Sequence, residues 1–224
     1  MNSKQAATAA IDTARLPIGR PKDATKHDGI VKAATALFMK DGYTLTSMEA
    51  VAKKADVSKI TVYSHFANKD ELFKAVIQRR CLKMAMPQCY LSHAKEPVEK
   101  TLLKIAGNFV TLIYSPDSIH LQRIIQAEAT RHPHIVKIFY EAGPLRVRTA
   151  FGELLAEWTR EGQLNVPDSA RAAEQFFSLL KGERLMKTML KLVPRPTGEE
   201  LNDHVKATVD FFLKAYRPMH KGAS

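Results

Sequence analysis

Residues 46–73 read TSMEAVAKKADVSKITVYSHFANKDELF, and the spacing of their hydroxyls, acids and small apolar side chains decides the fold. Thr46 followed three positions later by Glu49 has the form of a capping box, in which hydroxyl and carboxylate each take an unpaired amide at a helix start. A helix is therefore expected from Ser47, with Val51, Ala52 and Ala55 as a narrow apolar face. The pattern breaks across Ala55, Asp56 and Val57, and Ser58 offers a second N-cap. Asn68 offers a third, with Glu71 at the third helical position. The result is helix, tight turn, helix. The second helix carries Lys59, Ile60, Thr61, Tyr63 and His65, and its N-terminal end mixes hydrogen-bonding and apolar groups of the kind that meet base edges in a major groove.

Upstream, residues 26–41 place Ile30, Ala34, Leu37 and Phe38 on one helical face, with Gly42 as the stop. Residues 1–24 have no sustained period and read as a mobile basic arm. Within it Gly19-Arg20-Pro21 has the form of a minor-groove hook, set against the plainer reading of a solvated tail. Downstream, the helix from Lys69 runs through Leu72, Phe73, Val76 and Ile77 toward Pro87. Further helices are expected at 97–114, 117–131, 134–141, 144–161, 168–192 and 197–216, the last opening on the capping box Thr197-Gly198-Glu199-Glu200. No strand pattern competes. The expected architecture is all-α: an arm (1–24), a three-helix helix-turn-helix domain (25–72), and a helical bundle for ligand binding and dimerisation (73–224).

Composition fits a partner that is a polyanion. The chain has 34 Lys plus Arg against 23 Asp plus Glu, a formal net charge of +11, and residues 1–80 alone hold 14 basic and 8 acidic side chains, a difference of +6. No apolar run is long enough to span a bilayer and the N-terminus lacks an apolar signal centre, so a cytoplasmic protein is expected. The two cysteines, Cys81 and Cys89, would sit about 12 Å apart on a straight helix, too far for a disulfide. Packing is their expected role, ahead of redox sensing. His132 and His134 flank Pro133 without a third ligand nearby, so no metal site is expected, and no cofactor is expected.

The run from Thr46 to Phe73, with the helix IVKAATALFMKDGY before it, resembles the helix-turn-helix of the TetR family of transcriptional regulators over about residues 25–73. The resemblance departs at Asp56, where the family usually has Gly in the turn, and at Ile60, where it often has a smaller residue, so base preference does not transfer. It implies that Lys59, Ile60, Thr61 and Tyr63 face bases or the groove floor, with Ser58 at the head of their helix. It also implies that Ser47, His65 and Lys69 meet phosphates and that Thr46 orients the first helix. The phrases IIQAEATRHPHIVKIFYEAGP and AAEQFFSLLKG resemble the AefR-like branch of that family over roughly residues 119–185, a branch that identifies no ligand.

That second resemblance implies a homodimer whose last two helices form a four-helix interface. Leu201, Val205, Val209, Phe212 and Tyr216 make one stripe on the final helix, and Phe176, Phe177, Leu180 and Leu185 enrich the preceding one. The competing reading is that both helices are ordinary core. Met84, Met86, Phe109, Ile113, Tyr140, Phe151 and Trp158 are candidates to line an effector cavity, since aromatic and Met side chains make adaptable apolar walls. The expected function is a repressor that binds a palindromic operator in double-stranded DNA and is released by a small-molecule effector. The rivals are an architectural DNA-binding protein that answers to no ligand and a helical enzyme. The chain has no phosphate-binding glycine loop, no H-E-x-x-H and no G-x-S-x-G with which to nominate catalytic residues.

Overall fold

A computed structural model describes residues 24–82 and 96–218, so Arg20, Met84, Met86 and Cys89 lie outside the described residues. The helices, in chain order, are α1 (Ala24–Leu45), α2 (Met48–Ala55), α3 (Lys59–His65), α4 (Lys69–Leu82), α5 (Val98–Ile113), α6 (Pro116–Glu128), α7 (Pro133–Tyr140), α8 (Arg146–Arg160), α9 (Ser169–Met189) and α10 (Gly198–Tyr216). Among the described residues no strand occurs, in agreement with the all-α reading, and no helix is long and apolar enough to cross a membrane.

Two apolar cores hold the chain. The first joins Ile30, Phe38, Val51, Val62, Leu72 and Phe73 from α1 to α4, and it continues into Leu121, Ile125, Ile135 and Ala142 from α6 and beyond. The reader helices therefore share their core with the C-terminal bundle. The second core joins α5, α8, α9 and α10 through Leu102, Phe109, Phe151, Leu155, Phe176, Leu180, Val209 and Phe212. Burying each such side chain favours folding by about 1.5–3 kcal/mol over leaving it in water.

The second core corrects two expectations. Phe176, Phe177, Leu180, Leu185, Val205, Val209 and Phe212 are at most 5% exposed within one chain, so a second copy has nothing to gain by covering them. Leu201 and Tyr216 are partly buried against the same core. These residues fill the bundle, as the competing reading had it. Phe151 and Trp158 are likewise core, at 0% and 2% exposure. Phe151 packs on Phe176, Phe177 and Phe212 with ring centroids 4.8, 5.3 and 6.3 Å away.

Two backbone features escaped the periodicity. The expected helices at 134–141 and 144–161 are joined by a π-helical turn, Glu141–Leu145, that contains Pro144. Widening the turn lets a residue without an N–H sit inside a continuing helix. The expected straight helix over 168–192 is broken at Gly182, which has φ 55° and ψ 177°. Two side chains take carbonyls at the break: Tyr114 donates its hydroxyl to Lys181 O (3.1 Å), and His204 Nε2 lies 3.2 Å from Leu180 O.

Glycine alone occupies that backbone region comfortably, so Gly182→Ala is expected to cost about 1–3 kcal/mol of stability. The strain is conformational, because an added Cβ would meet nothing nearer than the His204 ring at 3.9 Å. Thermal melts compared with Gly107→Ala, at a helical site with open space around it, check the expectation.

Candidate DNA-reading surface and effector cavity

The reader begins one residue later than its hydroxyls suggest. Ser47, not Thr46, is the N-cap of α2, and its Oγ accepts from the Ala50 amide at 3.1 Å. Thr46 is instead buried, and its hydroxyl donates to Gly42 O at 2.7 Å. That bond ties the end of α1 to the start of α2, so Thr46 orients the first reader helix from inside. Ser58 caps α3 by accepting from the Thr61 amide at 3.1 Å, and its hydroxyl lies 2.8 Å from Thr61 Oγ1. Asn68 caps α4 as expected, accepting from the Glu71 amide at 2.9 Å.

Asp56 closes α2 in the left-handed conformation, φ 54° and ψ 48°, with its N–H directed to Ala52 O and Lys53 O. The turn therefore needs the backbone that the family supplies with Gly. Asp56→Gly removes the cost of a Cβ there, less the entropy that glycine adds to the unfolded chain, for a net gain of a few tenths to about 1 kcal/mol. A higher melting temperature and stronger binding of any duplex at low salt are the expected results. A lower melting temperature would count against the strain.

On α3, Ile60 is 82% exposed and Tyr63 is 43% exposed, so both side chains are open to a partner. Ser47, Ser58 and Lys59 are exposed beside them and Thr61 is half-buried. Lys59 forms an ion pair with Glu49 across the turn, which lowers the Glu49 carboxyl and raises the Lys59 ammonium relative to their ordinary ranges. Lys59 Nζ also lies 5.8 Å from the Tyr63 ring centre. Meeting a base with Lys59 thus requires parting from Glu49, a loose surface pair. His65 is half-buried, its ring 5.9 Å from that of His27 in an edge-on arrangement.

Lys69 does not point at solvent as a phosphate contact would. Its ammonium donates to Tyr43 O at 3.0 Å, Thr46 O at 3.1 Å and Thr44 O at 3.4 Å, and sits 4.3 Å from the Tyr43 ring centre. Desolvation holds it below the ordinary lysine range, with Asp70 opposing. A clamp for the α1 and α2 junction replaces the expected phosphate contact. Lys69→Met should destabilise the reader by about 1–3 kcal/mol through the lost charged hydrogen bonds, while leaving the salt dependence of duplex binding unchanged. A slope reduced by one counterion in a stably folded variant would restore the phosphate role.

The bundle contains a cavity of about 460 Å³. Phe109, Ile113 and Tyr140 line it, and so do Phe177 and Leu185. Ile77 and Arg80 reach it from α4, Leu121 and Ser118 from α6, and Arg148 from α8. The side chain of Arg80 bonds Asp117 Oδ2 and Ser118 Oγ, each at 3.4 Å. Its polar wall was missed because Arg148, Glu174 and Lys181 look individually like ordinary solvated helix charges. Among the described residues no group of three side chains could hold a metal ion. His132 pairs with Glu128 at 3.6 Å instead.

Residues 30–76 match the bacterial regulatory proteins of the tetR family, and residues 100–218 match the AefR-like transcriptional repressor, C-terminal domain. The chain belongs to the TetR family of transcriptional regulators. Its C-terminal half is an AefR-like domain, so it is a DNA-binding regulator and not an enzyme.

The chain is 49% identical over 47 residues to the regulator YhgD of Bacillus subtilis, 21% of this chain and 25% of that protein. An HTH-type transcriptional repressor of Mycobacterium tuberculosis is 32% identical over 90 residues, 40% of this chain and 44% of that protein. The chain thus spans less than half the length of these curated relatives. Solved structures match further: a TetR-family regulator from Mesorhizobium loti has TM-score 0.74 and 29% identity over 88% of this chain and 99% of that one. The Flavonoid-responsive Regulator FrrA has TM-score 0.68 and 32% identity over 88% of this chain and 100% of that one.

Proposed function

We propose that the protein is a homodimeric repressor that binds a palindromic operator and is released by a small molecule held in the bundle cavity. The observation that carries this reading is α4: Lys69 at its first turn grips the α1 and α2 junction, and Ile77 and Arg80 near its other end line the cavity. A ligand that displaces the cavity end of α4 moves the reader with it. The shared core of α1 to α4 with Leu121, Ile125 and Ile135 makes that movement a rigid-body one.

Residues 25–72 read DNA in this scheme and residues 73–224 bind the effector and the second copy, with α4 belonging to both. Ile60, Thr61, Tyr63 and Lys59 meet bases or the groove floor, and Ser47, Ser58 and His65 lie along the phosphates. Two readers about 34–36 Å apart engage successive major grooves, and a tilt of α4 spoils that spacing. A differential affinity of about 3 kcal/mol for the two states changes operator affinity roughly a hundredfold. FrrA, by its name a flavonoid-responsive regulator, supports a small-molecule effector of some kind. Acting on DNA places the protein in the cytoplasm.

The dimer face follows from what the core leaves outside. Leu179 and Met186, on either side of the Gly182 break in α9, and Phe211 on α10 are 39%, 52% and 61% exposed, with Gly182 exposed at the break and Ala207 and Ala215 exposed one turn either side of Phe211. Large and small apolar residues alternating on two adjacent helices suit self-complementary packing about a two-fold axis.

Selection of genomic fragments by the purified protein tests the function. The expected outcome is enrichment of one inverted repeat. Indiscriminate binding of random duplex would favour the architectural role instead.

A further inference from the structure

Resting on the effector reading of the cavity, we propose that the ligand is an amphipathic acid, whose apolar body fills the aromatic end and whose anionic group is bound between Arg148 and Lys181. The cavity's apolar wall is made by Phe109, Ile113, Leu121, Phe177 and their neighbours. Its charged side chains are Arg80, Arg148, Lys181 and Glu174, three cations to one anion. Glu174 leaves the excess standing: Arg148 Nη1 is 3.8 Å from Glu174 Oε2, at the limit of an ion pair, and the Glu174 side chain is 66% exposed.

Arg80 is occupied at another wall by Asp117 and Ser118. Lys181 has no carboxylate within ion-pair distance among the described residues. Its carbonyl is held by Tyr114 at the Gly182 break, which fixes where the side chain starts. Lys181 is an exposed residue at the mouth, yet its ammonium lies below the ordinary lysine range, mainly through desolvation and then through Arg148, with Glu174 opposing. Arg148 reaches Glu174 at 3.8 Å, and Glu174 and Lys181 lie two turns apart on one face of α9 ahead of the Gly182 break, so the three side chains line one side of the cavity.

An anion placed there gains charge-assisted hydrogen bonds in a partly dry setting and relieves the repulsion between two like charges. A neutral ligand of equal size leaves that repulsion in place. The volume of about 460 Å³ lies toward the small end of the usual range, which suits a bicyclic or medium-chain acid.

The test uses the full-length protein and matched probes: 2-naphthoate, 4-phenylbenzoate and decanoate, each beside its primary amide. Binding is measured by calorimetry without DNA, and operator release by fluorescence anisotropy. Acids are expected to bind at least about tenfold more tightly than their amides. Lys181→Met and Arg148→Met should each reduce the ratio of acid to amide affinity, with the helix content by circular dichroism retained. Acid and amide binding alike, or no acid binding at all, would overturn the inference. Acid binding that depends on Lys181 but releases no operator keeps the ligand class and overturns the effector reading.

Discussion

Phe211→Glu is expected to convert the protein into a folded monomer and to lower its affinity for a two-half-site operator by about a hundredfold or more. Phe211 is 61% exposed in the single chain, while its neighbour Phe212 is 1% exposed in the core. The substitution therefore removes nothing from the bundle. It sets a carboxylate in the middle of a face shared with Leu179 and Met186, and in the proposed dimer a two-fold axis brings in the same carboxylate from the second copy. Burying two unpaired charges costs far more than a standard interface can offset. Sedimentation equilibrium reports the mass, circular dichroism the helix content, and anisotropy the affinity. Loss of the dimer also removes the concentration dependence of the melting temperature. A variant that remains dimeric with unchanged operator affinity would place the interface on another face.

The contrast between Phe211 and Phe212 also explains which parts of the site were legible in the sequence. Helical periodicity finds an apolar stripe without saying what covers it. Phe212 and Leu180 belong to the stripe that the chain's own core covers; Phe211 and Leu179, one position away and about 100° around the helix, form the stripe left outside. The doublets Phe211-Phe212 and Leu179-Leu180 were the available signal, since one bundle face cannot absorb both members. Local chemistry was read more reliably, because its determinants lie within a few residues. The Ser58 and Asn68 caps and the capping box of Thr197 with Glu200 all stand as expected.

Where a partner lay far away in sequence the reading failed. Lys69 has the charge and place of a phosphate contact, and only the approach of Tyr43 and Thr46, more than twenty residues earlier, turns it inward. The break at Gly182 was hidden because a glycine inside a helical pattern is usually tolerated. Its carbonyls are taken by Tyr114 and His204, residues that no local rule connects to it. The cavity wall has the same character, since Arg148 and Lys181 meet only after α8 and α9 pack.

Phe176→Ala is expected to cost about 3–5 kcal/mol of stability, the range for truncating a buried phenylalanine whose surroundings relax only in part. Phe176 is 0% exposed, and its ring lies 4.8 Å from Phe151, 4.9 Å from Phe212 and 5.6 Å from Phe177 by ring centroids. Three helices supply those four rings, so no single side chain can swing in to fill the space. The outcome separates a core residue from an interface residue. If Phe176 serves the bundle of one chain, the loss appears equally in the dimer and in the monomeric Phe211→Glu background, where no partner remains to be lost. If it serves the interface, the loss vanishes in that background, because the surface was already free. Urea titrations of the two single variants and the double variant form the cycle, and additivity within about 0.5 kcal/mol is the expected result for sites that do not share a partner. A Phe176→Ala effect that disappears in the monomer would return Phe176 to the interface and leave the bundle without its aromatic centre.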